Sequence, residues 1–153
     1  MELTIVPGLM RDKVMKPIQA STTEETAAQT LRDYVQAFQS LRPSAMVSYF
    51  HLPFVLIADS GVRALVESGD LEAFLGQVMD GLKARGFARS EITEMRAHRL
   101  SEKLALVSVR RIRYKTDGAE LERLGETYTF RRVDERWKIA AAIVHEPLVL
   151  NAA

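Results

Sequence analysis

From Arg89 onward the apolar residues stop recurring at helical spacing and begin to alternate. Three turn signals, Leu100-Ser101-Glu102-Lys103, Asp117-Gly118 and Asp134-Glu135, cut that half of the chain into segments of similar length. A period of two belongs to a pleated strand whose faces differ, and short turn-forming links join consecutive strands antiparallel. The second half therefore predicts a four-stranded meander, and the first half must supply whatever covers its apolar face.

Centring each hairpin on its turn predicts the pairing. Around Asp117-Gly118, Val107 falls opposite Tyr128, Val109 opposite Glu126 and Arg111 opposite Leu124. Around Asp134-Glu135, Phe130 falls opposite Ile139, Tyr128 opposite Ala141, Glu126 opposite Ile143 and Leu124 opposite His145. One face then carries Ala105, Val107, Val109 and Arg111, then Leu124, Glu126, Tyr128 and Phe130, then Trp137, Ile139, Ala141, Ile143 and His145. The other face, with Ser108, Arg110, Thr127, Thr129, Ala140 and Ala142, is small, mixed and flat. That flat face is expected to pair with its copy in a two-fold dimer. A one-residue bulge would exchange the faces of a strand beyond it.

The first half supplies helices. Thr22 and Glu25 have capping-box spacing, which predicts a helix start there. Ala27, Leu31, Tyr34, Val35, Phe38 and Leu41 follow at spacings of three and four, and Pro43 stops the run. Ser44 is placed to cap a second short helix, Ala45 to Phe50. A strand from Phe54 to Ala58, the turn Asp59-Ser60-Gly61 and a returning arm from Val62 to Val66 read as a small hairpin. A third helix, Leu71 to Ala84, shows Leu71, Phe74, Leu75, Val78, Met79 and Leu82 on one side, with Gly86 placed to end it. Residues 1–20, interrupted by Pro7, Gly8 and Pro17, read as a loosely attached arm. The domain is expected over residues 21–150.

The order predicts an α+β fold: three N-terminal helices packed in a strongly curved antiparallel sheet, with a cavity at the open end of the curve. At 153 residues, such a domain buries roughly 70% of the surface its unfolded chain exposes. With no cysteine, disulfides, thiolate nucleophiles and zinc ribbons drop out. Twenty-one Lys and Arg against twenty Asp and Glu leave no field that would draw nucleic acid or an anionic membrane. Three histidines without ligand spacing predict no metal site, and no phosphate loop or nucleophile signature suggests a cofactor. The longest apolar run, Leu52 to Ala58, is far short of the ~20 residues of a membrane helix. Glu2 and the Pro7-Gly8 break make a poor secretory signal, so the expected location is cytoplasmic.

Three stretches carry a family resemblance over Ser21 to Pro147: "LRDYVQAF" at Leu31 to Phe38, "MVSYF" at Met46 to Phe50, and "YTFRRVDERWKIAAAIVHEP" from Tyr128 to Pro147. In this order they resemble the nuclear-transport-factor-2-like superfamily. This is the cystatin-like cone of SnoaL-like polyketide cyclases, ketosteroid isomerases and scytalone dehydratase. The resemblance implies a pocket for a small, largely apolar ligand, and cofactor-free isomerase, dehydratase or cyclase chemistry by proton transfer. Against ketosteroid isomerase, Tyr34 matches the helix tyrosine that donates to an enolate oxygen. The general-base aspartate falls on Ala58, with Asp59 one residue later, and the second oxyanion donor falls near Tyr128. Scytalone-dehydratase-like chemistry would draw on His145, His51, Tyr49 and Tyr128.

The candidate catalytic residues are Tyr34, Glu126, Tyr128 and His145, and the expected pocket lining is Phe38, Phe54, Phe74, Val107, Val109, Arg111, Trp137, Ala141 and Ile143. His145 is the natural acid or base by its ordinary pKa; the alternative is a histidine sealing the mouth of the cone. For Glu126 on an apolar face, either Arg111 neutralises it diagonally or its pKa rises and it handles protons. The competing reading of the whole is a non-catalytic ligand-binding or interaction domain acting as a homodimer.

Overall fold

The computed structural model describes residues 17–147, with side chains from Thr26 onward. Helix α1 spans Pro17–Phe38. It opens on a proline, whose missing N–H is one that a helix start leaves unbonded in any case. The start is five residues earlier than the capping box at Thr22 predicts, so Thr22 and Glu25 lie within helical backbone. Residues 17–20 of the expected arm belong to this helix, and residues 1–16 and 148–153 lie outside the described part. The stripe expected for α1 is buried: Ala27, Leu31, Tyr34, Val35 and Phe38. Leu41, at φ +54°, turns the chain away.

Two 3-10 turns, Pro43–Ala45 and Val47–Tyr49, stand where the short second helix was expected. Six residues between Pro43 and the next strand are too few to nucleate an α-helix, while single 3-10 turns fit such links. Met46 between them is fully buried and pins the link to the core. Strand β1, Phe50–Ala58, starts four residues before the expected Phe54, and β2, Gly61–Leu65, returns from it as a hairpin. Helix α2, Ser68–Ala84, buries Leu71, Leu75, Met79 and Leu82, and Gly86 at φ +83° follows its end.

The meander then runs as β3 (Phe87–Ser101), β4 (Leu104–Lys115), β5 (Glu120–Val133) and β6 (Arg136–His145). The curved sheet has the order β2-β1-β6-β5-β4-β3. Its pairings are antiparallel except that β1 runs parallel to β6, a contact the meander alone does not predict. The helices cover one face, α1 lying chiefly over β3 and β4. Phe130, Ile139, Val107 and Val109 are completely buried beneath that cover.

The β4–β5 pairing agrees with the count from the turn: Val107 faces Tyr128, Val109 faces Glu126, Arg111 faces Leu124. The β5–β6 pairing agrees only at its start. Phe130 pairs with Ile139, but Thr129 then pairs with Ala141, leaving Ala140 as an extra residue. Beyond this bulge Tyr128 faces Ala142, Glu126 faces Val144 and Gly125 faces His145. Ala141, Ile143 and His145 are thereby turned to the outer face, and Ala142 and Val144 take the inner positions expected of them. Among the described residues no helix is long and apolar enough to cross a membrane.

Candidate functional site

Alternation on β4 and β5 aims Arg111 and Arg113, and Leu124, Glu126 and Tyr128, toward the space between sheet and helices. There they meet Tyr34 and Phe38 of α1, Phe50, Phe54 and Leu56 of β1, and Phe74, Leu75 and Val78 of α2. Together with Ala142 and Val144 these residues enclose a cavity of about 220 Å³, partly open to solvent. Its walls are mainly aromatic and aliphatic, and its polar groups gather on the β4–β5 side.

The core of that polar group is an ion pair. Arg111 Nε donates to Glu126 Oε1 at 2.6 Å and Nη2 to Oε2 at 3.0 Å, while Nη1 donates to Ser90 Oγ at 3.2 Å. The two side chains are 3% and 9% exposed, so the bond is fork-to-fork in a nearly dry setting. Of the two alternatives for Glu126, the diagonal pairing holds. Burial pushes the Glu126 pKa up, but the Arg111 charge and its hydrogen bonds outweigh this and hold it below the ordinary carboxylate value. Burial likewise pulls Arg111 down, and Glu126 more than reverses it. The pair is locked in its charged form.

Two phenols complete the group. Burial first, then the Glu126 charge, raises the pKa of Tyr128 well above that of free tyrosine. Tyr34 is raised for the same two reasons in the same order. Its ring is the hub of an aromatic cluster, with centroids 5.6 Å from Phe50, 5.7 Å from Tyr49, 5.9 Å from Phe38 and 6.1 Å from Tyr128, three of the four edge-on. Both phenols stay neutral across the physiological range and act as donors.

The structure therefore brings Tyr34, Glu126, Tyr128, Arg111, Phe38, Phe54 and Phe74 to one cavity. Val107 and Val109 share the inner face but are wholly buried away from the lining. Trp137 is buried in the core and borders a different, polar depression with Tyr49, Asp33 and Glu135. Ala141, Ile143 and His145 are on the outer face because of the bulge at Ala140.

His145, expected as the acid or base, is engaged elsewhere. Its Nδ1 lies 2.8 Å from the Glu146 carbonyl oxygen and its Nε2 lies 2.9 Å from Thr127 Oγ1, which is 3.0 Å from Ser108 Oγ. A carbonyl only accepts, so in the neutral ring Nδ1 carries the proton and Nε2 accepts from Thr127. His51 is also tied outside the cavity, to the Pro53 carbonyl and Arg131. Asp59 is an exposed turn residue, and neither it nor Ala58 lines the cavity.

Lining residues absent from the expectation are Phe50, Leu56, Leu75, Val78, Arg113, Leu124, Ala142 and Val144. Arg113 was legible, because it is two residues from Arg111 on the same strand and shares its face. Ala142 and Val144 were not, since nothing marks the bulge. Among the described residues no group of His, Asp and Glu is arranged to hold a metal ion.

A family model described as NTF2-like protein (DUF6841) matches residues 23–147. A search of curated proteins finds no match. Among solved structures, a domain of unknown function with a cystatin-like fold from Nostoc punctiforme is 21% identical at a TM-score of 0.64, over 84% of this chain and 80% of that one. An NTF2-like protein from Novosphingobium aromaticivorans is 14% identical at 0.69, over 91% and 90%. A Streptomyces avermitilis protein of the NTF2-like family, provisionally assigned as a dehydratase, is 14% identical at 0.65, over 84% and 98%. These identities speak for the fold alone. The family model, spanning most of the cone from α1 to the end of β6, shows more: this chain belongs to the NTF2-like protein family.

Proposed function

We propose that the chain binds a small, largely apolar molecule in the cone, with the Tyr34 and Tyr128 hydroxyls and the Arg111–Glu126 pair as the polar end of its site. One observation carries this reading: the cavity of about 220 Å³ is walled by Phe38, Phe50, Phe54 and Phe74 and draws its polar side chains, all but Tyr34, from β4 and β5. Such a division, an apolar body and a few convergent polar groups, is what orients a small ligand. An apolar cavity of ~150 Å³ accommodates benzene, so a substituted single ring is the size class that fits.

Proton-transfer chemistry on the same ligand, as an isomerase, dehydratase or cyclase, is a second reading. The two neutral phenols favour it, because they can donate to a developing oxyanion. Against it stands the lack of a base among the described residues of the lining: Glu126 is held as a carboxylate by Arg111 and is a weak proton acceptor. Binding without turnover is the better supported of the two.

The outer face of β5 and β6, with Thr127, Thr129, Ala141 and the 37% exposed Ile143, is where we place a second copy of the chain. Light scattering at micromolar concentration checks it, and a monomer refutes it.

The test of binding is a two-dimensional NMR titration of the full chain with substituted benzenes and cyclohexanes. The expected result is saturable shifts at amides of β4, β5 and α2, abolished by filling the cavity with Ala142→Leu. If every ring leaves the spectrum unchanged, the proposal fails.

A further inference from the structure

The charges around the cavity do not balance. Among the described residues, Glu122 bridges Arg85, at 2.9 Å, and Arg113, at 2.6 Å, while Arg111 is matched by Glu126 alone. Three guanidiniums thus share two carboxylates. Arg85 is half exposed and can be served by water, whereas the Arg113 side chain is 12% exposed.

Arg113 is the group left short. It lines the cavity beside Arg111, and among the described residues its only ion-pair contact is from Nη1 to Glu122. Its Nε is buried with no hydrogen-bond partner. The rings of Phe38 and Phe87 are each centred 6.0 Å from its guanidinium carbon. A buried cation with an orphaned donor is costly unless something negative reaches it. The pKa of Arg113 is lowered, by burial and then by the Arg111 charge, and Glu122 and Glu126 do not undo this.

We infer that the cavity's ligand is an apolar monocarboxylate, a single ring whose carboxylate lies on the Arg113 and Tyr34 side and whose ring lies among Phe50, Phe54 and Phe74. This inference rests on the reading of the cavity as a ligand site and gives that ligand its charge. Arg113, whose one carboxylate is shared with Arg85, supplies the cation, and Tyr34 of α1 borders the same cavity as a neutral donor. Glu126 repels a second negative charge, which limits the ligand to one.

The test compares matched pairs, benzoate with benzamide and cyclohexanecarboxylate with cyclohexanemethanol, titrated calorimetrically into the full chain at neutral pH. The acid of each pair is expected to bind about tenfold more tightly than its neutral partner, the strength of one charge-assisted hydrogen bond. Arg113→Gln should erase the preference. Glu122→Gln, at a side chain 24% exposed, should enlarge it by freeing Arg113, and it decides the matter if Arg113→Gln does not fold. Equal binding of acid and neutral partner overturns the inference and leaves the ligand site standing. Binding of neither overturns both. A preference that persists in Arg113→Gln, or that Glu122→Gln fails to increase, overturns the role of Arg113.

Discussion

Neighbouring residues of β5 serve two different polar clusters. Glu126 faces inward to Arg111, in a bidentate ion pair with both side chains under a tenth exposed. Thr127 faces outward to His145 and Ser108, in a chain of neutral hydrogen bonds at a partly exposed surface. The strand, the fold and the hydrogen-bonding capacity are the same for both. They differ in access to water. Inside, a charge must be matched by protein or ligand, since the solvent that reaches side chains under a tenth exposed is a poor replacement for a lost partner. Outside, a water takes the place of any group removed. The inner cluster is therefore an all-or-nothing unit, and the outer one is adjustable.

Removing one half of the inner pair should give the largest effect. Glu126→Leu strands Arg111 in the core and is expected to cost about 3–5 kcal/mol in urea unfolding. The double variant Arg111→Met/Glu126→Leu should recover most of that loss, and failure to recover would show that the pair does more than neutralise itself. The same residue gives the inner cluster a pH signature. Its folded pKa is depressed below the ordinary 4.5, so between the two values the unfolded chain binds more protons and stability rises with pH. The contribution is complete above the unfolded value and is lost as pH falls through the folded one. Glu126→Gln should flatten this acid limb, whereas His145→Gln should leave it intact.

At the boundary between the clusters sits Gly125, opposite His145. A Cβ there would lie 2.5 Å from the Glu146 carbonyl oxygen and 2.7 Å from His145 Nδ1. Gly125→Ala must displace the end of β6 and is expected to cost about 1–3 kcal/mol, with chemical shifts changing at Thr127 and His145 but not at Arg111. The smallest effect belongs to the outer cluster itself. Thr127→Val deletes two hydrogen bonds at a partly wet site and should cost about 1 kcal/mol or less. A loss as large as that of Glu126→Leu would erase the contrast between the faces.

Most of this was legible from β4 and β5. Their alternation and the Asp117-Gly118 turn put Arg111 and Glu126 diagonally on one face, because large apolar residues flank the charges and leave the face unambiguous, while the choice between an ion pair and a proton-handling Glu126 stays open in the sequence. The same reasoning fails on β6 at Ala140-Ala141-Ala142. Three identical small side chains carry no alternation, so an extra residue among them leaves no mark, and every position beyond is assigned to the wrong side. The start of α1 was missed for a related reason: the capping box at Thr22 is a local signal, and the helical backbone extends past it to Pro17. The two 3-10 turns follow from chain length more than from the residues in them. Arg113 could have been found by the spacing that identified Arg111.

The bulge at Ala140 also bears on how a site like this can change. Below it β6 offers the cavity Ala142 and Val144, which are inert, while His145 and its proton chemistry lie one pleat away on the other side. Loss of a single alanine codon from that run would remove the extra residue and restore simple alternation, with Ala142 and Val144 still inward and His145 still outward. The bulge is thus one residue of slack in the strand. On this scaffold a reading-frame-preserving deletion in the alanine run leaves the wall of the pocket as it was, where the same deletion in a strand without a bulge would exchange its faces.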